Sequence, residues 1–160
     1  SSSNLSQSDL TYTDSIVVKE TRPVSGPIKL DELFHSHKDL LNESVYVKNK
    51  VHMSSFIFTR SALTGLEFDS QLMAYEDWDF QLAVIEKVNP AYLPIVSSMI
   101  HEVDDNTTDR RGSTKAAEDY NAILDYLYIY RRHKAPNPLI QEMRASLLEF
   151  AGLKIDKNFL

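Results

Sequence analysis

The segment from residue 76 to residue 103 constrains the fold of this chain more than any other. Residues 76–88 carry apolar side chains at helical spacing and predict a helix, which Asn89-Pro90 ends because a residue before proline avoids the helical region. Residues 91–103 predict an extended segment, in which Pro94 indicates an edge or a break. A helix that leads directly into a long strand indicates an α/β chain.

The remaining segments predict further strands and helices. Leu10–Val18 and Phe56–Phe58 are rich in β-forming residues and predict strands. Residues 30–41 predict one or two short helices from the spacing of their apolar residues. Two longer helices are predicted at 113–133 and 138–152, and the apolar stripe of the second consists of Leu139, Met143, Leu147 and Phe150.

Length and composition narrow the class of protein. The chain has 160 residues, enough for one domain with a substantial core. A net charge of −6 argues against a nucleic-acid-binding protein, and the lack of cysteine excludes disulfides and thiolate metal sites. No apolar run is long enough to span a bilayer, and no signal-peptide pattern opens the chain. Residues 1–9 are polar and predict a disordered tail or linker, so we expect a piece of a longer polypeptide.

Three carboxylates lie at the start of the predicted helix, and helical geometry separates them. A helix turns by about 100° per residue. Glu76, Asp79 and Glu86 then fall on a flank that we predict to be solvated, whereas Asp77 falls beside the apolar stripe. Asp77 and Asp79 also spell Asp-x-Asp, a metal-binding pattern. On a helix, however, the two side chains point roughly 200° apart and are not expected to share an ion.

Two interpretations of Asp77 follow from the residues. In the first, Glu76 and Asp77 are first-turn acids favoured by the helix dipole, which stabilises each by roughly 0.3–1 kcal/mol. In the second, Asp77 points into a cleft as a general base, because partial burial raises the affinity of a carboxylate for a proton. The residues alone leave both interpretations open.

Several other polar residues are assigned mainly structural roles. His35 and His37 would share one face of an extended strand, which permits a metal pair, but no acid or third ligand is nearby in sequence. His52 is predicted to be a partly buried strand residue. The basic end of the helix at 113–133 is expected to be solvated, namely Arg131, Arg132 and His133. Alternating tyrosines on the same helix are expected to pack in the core and at its rim, namely Tyr126, Tyr128 and Tyr130.

Three motifs in order resemble one known family. They are Ser54-Ser55-Phe56-Ile57-Phe58-Thr59-Arg60-Ser61-Ala62-Leu63, then Tyr75-Glu76-Asp77-Trp78-Asp79-Phe80, then Ile100-His101-Glu102-Val103-Asp104-Asp105-Asn106-Thr107-Thr108. Their order and spacing resemble the second half of inverting family 2 glycosyltransferases with the GT-A fold. The resemblance covers about Leu10 to Arg111, and the Glu-Asp-Trp-Asp stretch is its most specific part.

The resemblance implies a role for particular residues. Asp77 would be the base that deprotonates an acceptor hydroxyl, with Glu76 beside it, and His101 would join the shell of a divalent cation, Mg or Mn. Substrate contacts would come from the loop lining the donor sugar, from the helix start and from a loop at 106–111, namely Ser54, Ser55, Trp78, Arg110 and Arg111. The reaction would transfer a sugar, such as a hexose, from a nucleotide-sugar to a saccharide or other hydroxyl acceptor, with inversion.

One half of the family's fold is missing from this chain. The family's nucleotide-binding unit, which would supply most of the metal ligands, has no counterpart before Leu10. The expected fold is therefore a partial GT-A-like α/β domain at 10–112, after a tail at 1–9 and before a helical extension at 113–160. We expect such a chain to be inactive alone, to serve polysaccharide biosynthesis in the cytoplasm or at the inner face of a membrane, and to self-associate through exposed strands. The alternative is a non-catalytic module of the same fold, in which the C-terminal helices dock to a partner.

Overall fold

The computed structural model describes residues 8–72, 74–103 and 120–160. These residues form a four-stranded sheet with three α-helices and several short 3-10 turns. In chain order the strands and helices are β1 (Leu10–Thr21), β2 (Ile28–His35), β3 (Phe56–Phe58), α1 (Glu76–Ile85), β4 (Pro90–Val103), α2 (Tyr120–Arg132) and α3 (Pro138–Phe150). The predicted α/β class is confirmed. The predicted helix at 113–133 is described from Tyr120 onwards.

Strand β1 is the centre of the sheet. Strand β2 pairs antiparallel with the second half of β1, from Ser15 to Thr21. Strand β3 pairs antiparallel with the start of β1, from Leu10 to Tyr12. Strand β4 runs parallel to β1 along the opposite edge. Helix α1 lies in the connection from β3 to β4, which crosses from one side of β1 to the other. The sheet is therefore mixed, and the predicted strand–helix–strand order is confirmed.

The pairing of β4 with β1 shifts in register next to Pro94. Thr13 lies opposite Leu93, whereas the next residue, Asp14, lies opposite Val96. Proline has no N–H to donate to a neighbouring strand, so an interruption of the pairing with β1 is expected at this position. The break that Pro94 indicates in the sequence is found in the strand.

The predicted helices at 30–41 are wrong, because residues 30–35 belong to β2 and residues 36–41 form no helix. The spacing of Leu33 and Phe34 fits a helix, but in the hairpin these neighbours face opposite sides of the sheet, opposite Val17 and Ile16 respectively. A tight turn before β2 makes this hairpin, because the N–H of Gly26 donates to the carbonyl of Pro23 at 2.9 Å. Pairing with β1 therefore decides the structure of a segment whose local pattern is ambiguous.

Helix α1 lies between two buried clusters and contributes to both. Trp78 and Leu82 pack with side chains of α2 and α3, including Ile129, Tyr130 and Leu148. Phe80 and Val84 pack on the other side against the sheet and the segment before it, including Leu10, Tyr12 and Val51. Burying a large apolar side chain completely contributes roughly 1.5–3 kcal/mol, so α1 is strongly held from both sides.

Helix α3 buries a different face from the one predicted. The predicted stripe is largely exposed, since Leu139 is 63% and Phe150 96% accessible, whereas Ile140, Arg144 and Leu148 are buried. The cause is Arg144, whose guanidinium donates to four backbone carbonyls of the surrounding segments, those of Tyr46, Tyr130, His133 and Leu160. A polar side chain with this many partners belongs in the interior, which periodicity of apolar residues alone does not reveal.

Candidate functional site

Asp77 lies in the first turn of α1, half-buried, with both carboxylate oxygens engaged. Its Oδ1 accepts from the backbone N–H of Trp78 at 2.7 Å. Its Oδ2 accepts from the side-chain amide of Asn49, with 3.3 Å between the two atoms. The helix geometry predicted that Asp77 would stand beside the apolar stripe, and its partial burial agrees with that position.

The loop at 45–55 reaches Asp77 because α1 anchors it at two points. The indole Nε1 of Trp78 donates to the carbonyl of Val45 at 2.8 Å, and the amide of Gln81 donates to the carbonyl of Val51 at 3.1 Å. Trp78, Gln81, Val45 and Val51 are all buried. The intervening residues therefore lie over the start of α1, beside Asp77.

His52 continues this loop and is exposed. Its Nδ1 accepts from the backbone N–H of Ser54 at 3.3 Å and lies 2.8 Å from the Ser54 hydroxyl, so the ring caps the 3-10 turn Met53–Ser55. The predicted partly buried strand position is wrong for His52, because β3 starts only at Phe56. Ser54 is exposed on the same turn.

The pKa of Asp77 is raised above the ordinary aspartate value. Burial is the largest cause and raises it, since removing water disfavours the carboxylate. The Trp78 N–H lowers the pKa, the charge of Glu76 raises it and the nearby His52 lowers it. A carboxylate with a raised pKa holds a proton more firmly once it has taken one, which suits a general base.

Asp79 has a structural role that the sequence does not predict. The expected solvated flank is wrong for this residue, which is 1% exposed. Its oxygens lie 3.0 Å from Nε2 of His133 and 3.0 Å from Nη1 of Arg132, because the end of α2 packs over this part of α1. His133 is likewise buried and not at a solvated helix end. Asp77 and Asp79 thus turn to separate partners, consistent with the expectation that they do not share an ion.

His101 lies in the sheet beside Glu20. Its Nδ1 is 2.8 Å from Oε2 of Glu20, whose other oxygen is 2.6 Å from the guanidinium of Arg22. The pKa of Glu20 is lowered, chiefly by this hydrogen bond from His101 and next by the hydrogen bond from Arg22. Among the described residues, no group of three or more histidines and acids could hold a metal ion. A divalent cation at Glu20 would also meet the positive charge of Arg22, so the described residues do not fit such a site by themselves.

The residues expected to bind substrate are found in unlike surroundings. Ser55 is buried, and its hydroxyl lies 2.8 Å from that of Ser98, which joins the 3-10 turn before β3 to β4. Trp78 is completely buried and presents no surface to a substrate. Ser54 remains beside the Asp77 loop. The loop at 106–111, with Arg110 and Arg111, lies outside the described residues.

The histidine pair at 35 and 37 is not a metal pair. Strand β2 ends at His35, and the ring of His37 turns into the sheet, where Nδ1 donates to the carbonyl of Thr13 at 2.6 Å. The backbone N–H of His37 donates to Asp14 at 2.8 Å, and Nε2 lies 3.3 Å from the hydroxyl of Ser15. His37 therefore holds the end of β2 against β1.

Sequence reasoning missed Asn49, and it gave His52 only a structural role in a strand. Neither belongs to a recognisable motif, and Asn49 reaches Asp77 only because α1 holds the backbone carbonyls of Val45 and Val51. Comparisons with protein-family models, curated proteins and solved structures found no match to this chain. Among the described residues, none of the helices has the length and apolar character that crossing a bilayer requires.

Proposed function

We propose that this chain forms the acceptor side of an inverting glycosyltransferase of the GT-A type, with Asp77 as the general base. The observation that carries the proposal is the half-buried Asp77 carboxylate at the start of α1, held by Asn49 and by the Trp78 N–H. The order of its three motifs, and a mixed sheet in which α1 leads into the parallel strand β4, support the same proposal.

The chemistry asked of Asp77 is one proton transfer. An acceptor hydroxyl donates its proton to the carboxylate while its oxygen forms a bond to the anomeric carbon of the donor sugar. The bond from that carbon to the diphosphate breaks on the opposite face, which inverts the configuration. A general base of this kind contributes typically 10²–10⁴-fold to a rate. A divalent cation, Mg or Mn, would stabilise the departing diphosphate, and its main ligands are proposed to lie outside the described residues.

The test replaces the base without changing its shape. Asp77→Asn is measured for sugar transfer in a protein that contains both this chain and a nucleotide-binding half, with binding of the nucleotide-sugar measured in parallel. We expect transfer to fall by at least about 10²-fold while donor binding is kept. Asp31→Asn, which changes an exposed acid of β2, is the control and should leave both unchanged. Full activity of Asp77→Asn would refute the proposal.

A second candidate, a non-catalytic interaction module, is favoured by the exposed apolar stripe of α3. Leu139, Met143 and Phe150 face solvent on one side of a well-formed helix, an arrangement typical of a surface that another protein covers. An apolar patch can bury against a copy of itself without opposite charges, so a second copy of this chain is the occupant to test. Sedimentation equilibrium of the chain and of Met143→Glu separates the cases, since a dimer that the variant abolishes supports the module and a monomer at high concentration removes it.

A further inference from the structure

The side-chain amide of Asn49 is held in one orientation. Its Oδ1 accepts from the backbone N–H of Val51 at 3.3 Å, which leaves its Nδ2 to donate to Oδ2 of Asp77. The opposite orientation would place a carbonyl oxygen against a carboxylate and an amide N–H₂ against a backbone N–H. Asn49 is therefore a donor aimed at one oxygen of Asp77.

The cap at Ser54 selects one tautomer of the neutral His52 ring. Because Nδ1 accepts from the N–H of Ser54, the proton of the neutral ring is on Nε2. A second proton on the ring would take the lone pair of Nδ1 and remove the cap. His52 is exposed, and the charge of its imidazolium form lowers the pKa of Asp77.

We propose that Asn49 and His52 are positioning residues for Asp77, with Asn49 fixing the direction of one carboxylate oxygen and His52 setting the charge beside it. The loop at 45–55 is the device that brings them there, since its carbonyls at Val45 and Val51 are hydrogen-bonded to Trp78 and Gln81 of α1. With Oδ2 held by Asn49 and Oδ1 held by a backbone N–H, the carboxylate cannot rotate freely. This role in catalysis rests on the reaction proposed above. In that reaction, the loop would orient the Asp77 carboxylate toward the acceptor hydroxyl.

The charged groups that act on Asp77 come from two elements. Glu76 of α1 is the like charge, and the imidazolium form of His52 in the loop is the opposite one, while the Trp78 N–H and Asn49 are uncharged donors. Removing a donor from the ionised carboxylate, or removing the histidine, should raise the proton affinity of Asp77.

The experiment follows the Asp77 carboxyl carbon by NMR through a pH titration of this chain. We expect Asn49→Ala and His52→Gln each to raise the titration midpoint of Asp77 by about half a pH unit or more. Asn49→Asp is the sharpest variant, because it keeps the acceptor for the Val51 N–H but replaces the donor with a second carboxylate. It should raise the midpoint further than Asn49→Ala does. His35→Ala, an exposed histidine that is not among the charges acting on Asp77, is the control and should not move it.

Two readouts keep this proposal apart from the glycosyltransferase proposal. Amide spectra that match the parent chain show that each variant folds, and a midpoint of Asp77 that is unchanged in both Asn49→Asp and His52→Gln overturns the positioning role. Shifted midpoints in a protein that transfers no sugar would keep the positioning role and refute the proposed reaction. In an active protein, Asn49→Ala should lower kcat and move the acid limb of the pH profile to higher pH, while the KM for the nucleotide-sugar stays unchanged.

Discussion

The Nε2 atom of His133 lies 3.0 Å from Oδ1 of Asp79, and both side chains are almost completely buried. The other ring nitrogen, Nδ1, lies 3.0 Å from Oε1 of Glu86. An ionised carboxylate can only accept, so a ring that satisfies both partners must carry a proton on each nitrogen. His133 thus joins the end of α2 to the first turn of α1 and to the residue after α1, as an imidazolium.

This arrangement predicts a loss of stability at alkaline pH. Burial alone would lower the pKa of His133, but the hydrogen bonds to Asp79 and Glu86 outweigh it, so the pKa lies above the ordinary value. The stabilisation is complete below the unfolded pKa of about 6.5 and is lost as pH rises through the raised folded pKa. Each unit of pKa difference corresponds to about 1.4 kcal/mol in the free energy of unfolding.

The measurement is urea denaturation of the chain between about pH 6 and pH 10. His133→Gln should be less stable at neutral pH and should lack the loss that the parent chain shows above the ordinary histidine pKa. Glu86→Gln, at the more exposed of the two carboxylates, should keep part of that loss. A free energy of unfolding in the parent chain that does not fall across this range would show that His133 is neutral in the folded state.

Arg144 is predicted to be the most costly arginine to replace. Arg144→Met removes four hydrogen bonds to backbone carbonyls. It also removes the contact of the guanidinium with the Tyr130 ring, whose centre lies 4.2 Å away. Leaving several buried carbonyls without a donor should cost at least about 3 kcal/mol. Arg131→Met removes an exposed cation from α2 and should change stability by less than about 0.5 kcal/mol. Thermal unfolding of the two variants compares them directly, and equal melting temperatures would contradict the role of Arg144.

Neighbouring residues of α3 test which face of the helix is buried. Ile140→Ala removes a side chain that is 2% exposed and should cost about 2–5 kcal/mol, whereas Leu139→Ala should cost less than about 0.5 kcal/mol. The apolar stripe read from the sequence predicts the opposite order. Chemical denaturation of the two variants therefore decides between the two orientations of α3.

The proposed reaction has a pH dependence set by Asp77. Since burial raises the pKa of Asp77, and the base must be ionised to accept a proton, kcat/KM should rise with pH through a midpoint above the ordinary aspartate value of about 3.9. The rise is measured with donor and acceptor at limiting concentrations in a protein that contains the nucleotide-binding half. A profile without an acid limb down to about pH 4 would argue that Asp77 does not take the proton.

The parts of the fold that the sequence predicts are those with local signals. Helix α1 and strand β4 follow from a helical pattern, a proline that ends it and a long β-forming run, and both are found. The structure of β2 depends on pairing with β1, and the buried face of α3 depends on carbonyls from distant segments that meet Arg144. Neither kind of information is present in the periodicity of a single segment.

The candidate site likewise has features that the local sequence predicts and features that depend on contacts between distant segments. The phase of α1 places Asp77 beside the apolar stripe, in agreement with its partial burial, because that position depends only on the geometry of one helix. The same phase wrongly assigns Asp79 to a solvated flank. The burial of Asp79 was not predictable, since it depends on where the end of α2 packs. Asn49 contacts Asp77 from a loop that is folded back by contacts with α1, and His52 of the same loop acts on Asp77 by its charge, so only the three-dimensional arrangement identifies them.

Helix α1 supplies side chains to both buried clusters, and this has a consequence for how the protein opens. A fluctuation that displaces α1 exposes both clusters at once, because Leu82 belongs to one and Val84, two residues on, to the other. The sheet and the C-terminal helices should therefore unfold as one cooperative unit, with the amide hydrogens of α1 among the slowest to exchange with solvent. A carboxylate at the first turn of that helix is attached to the least mobile part of the molecule.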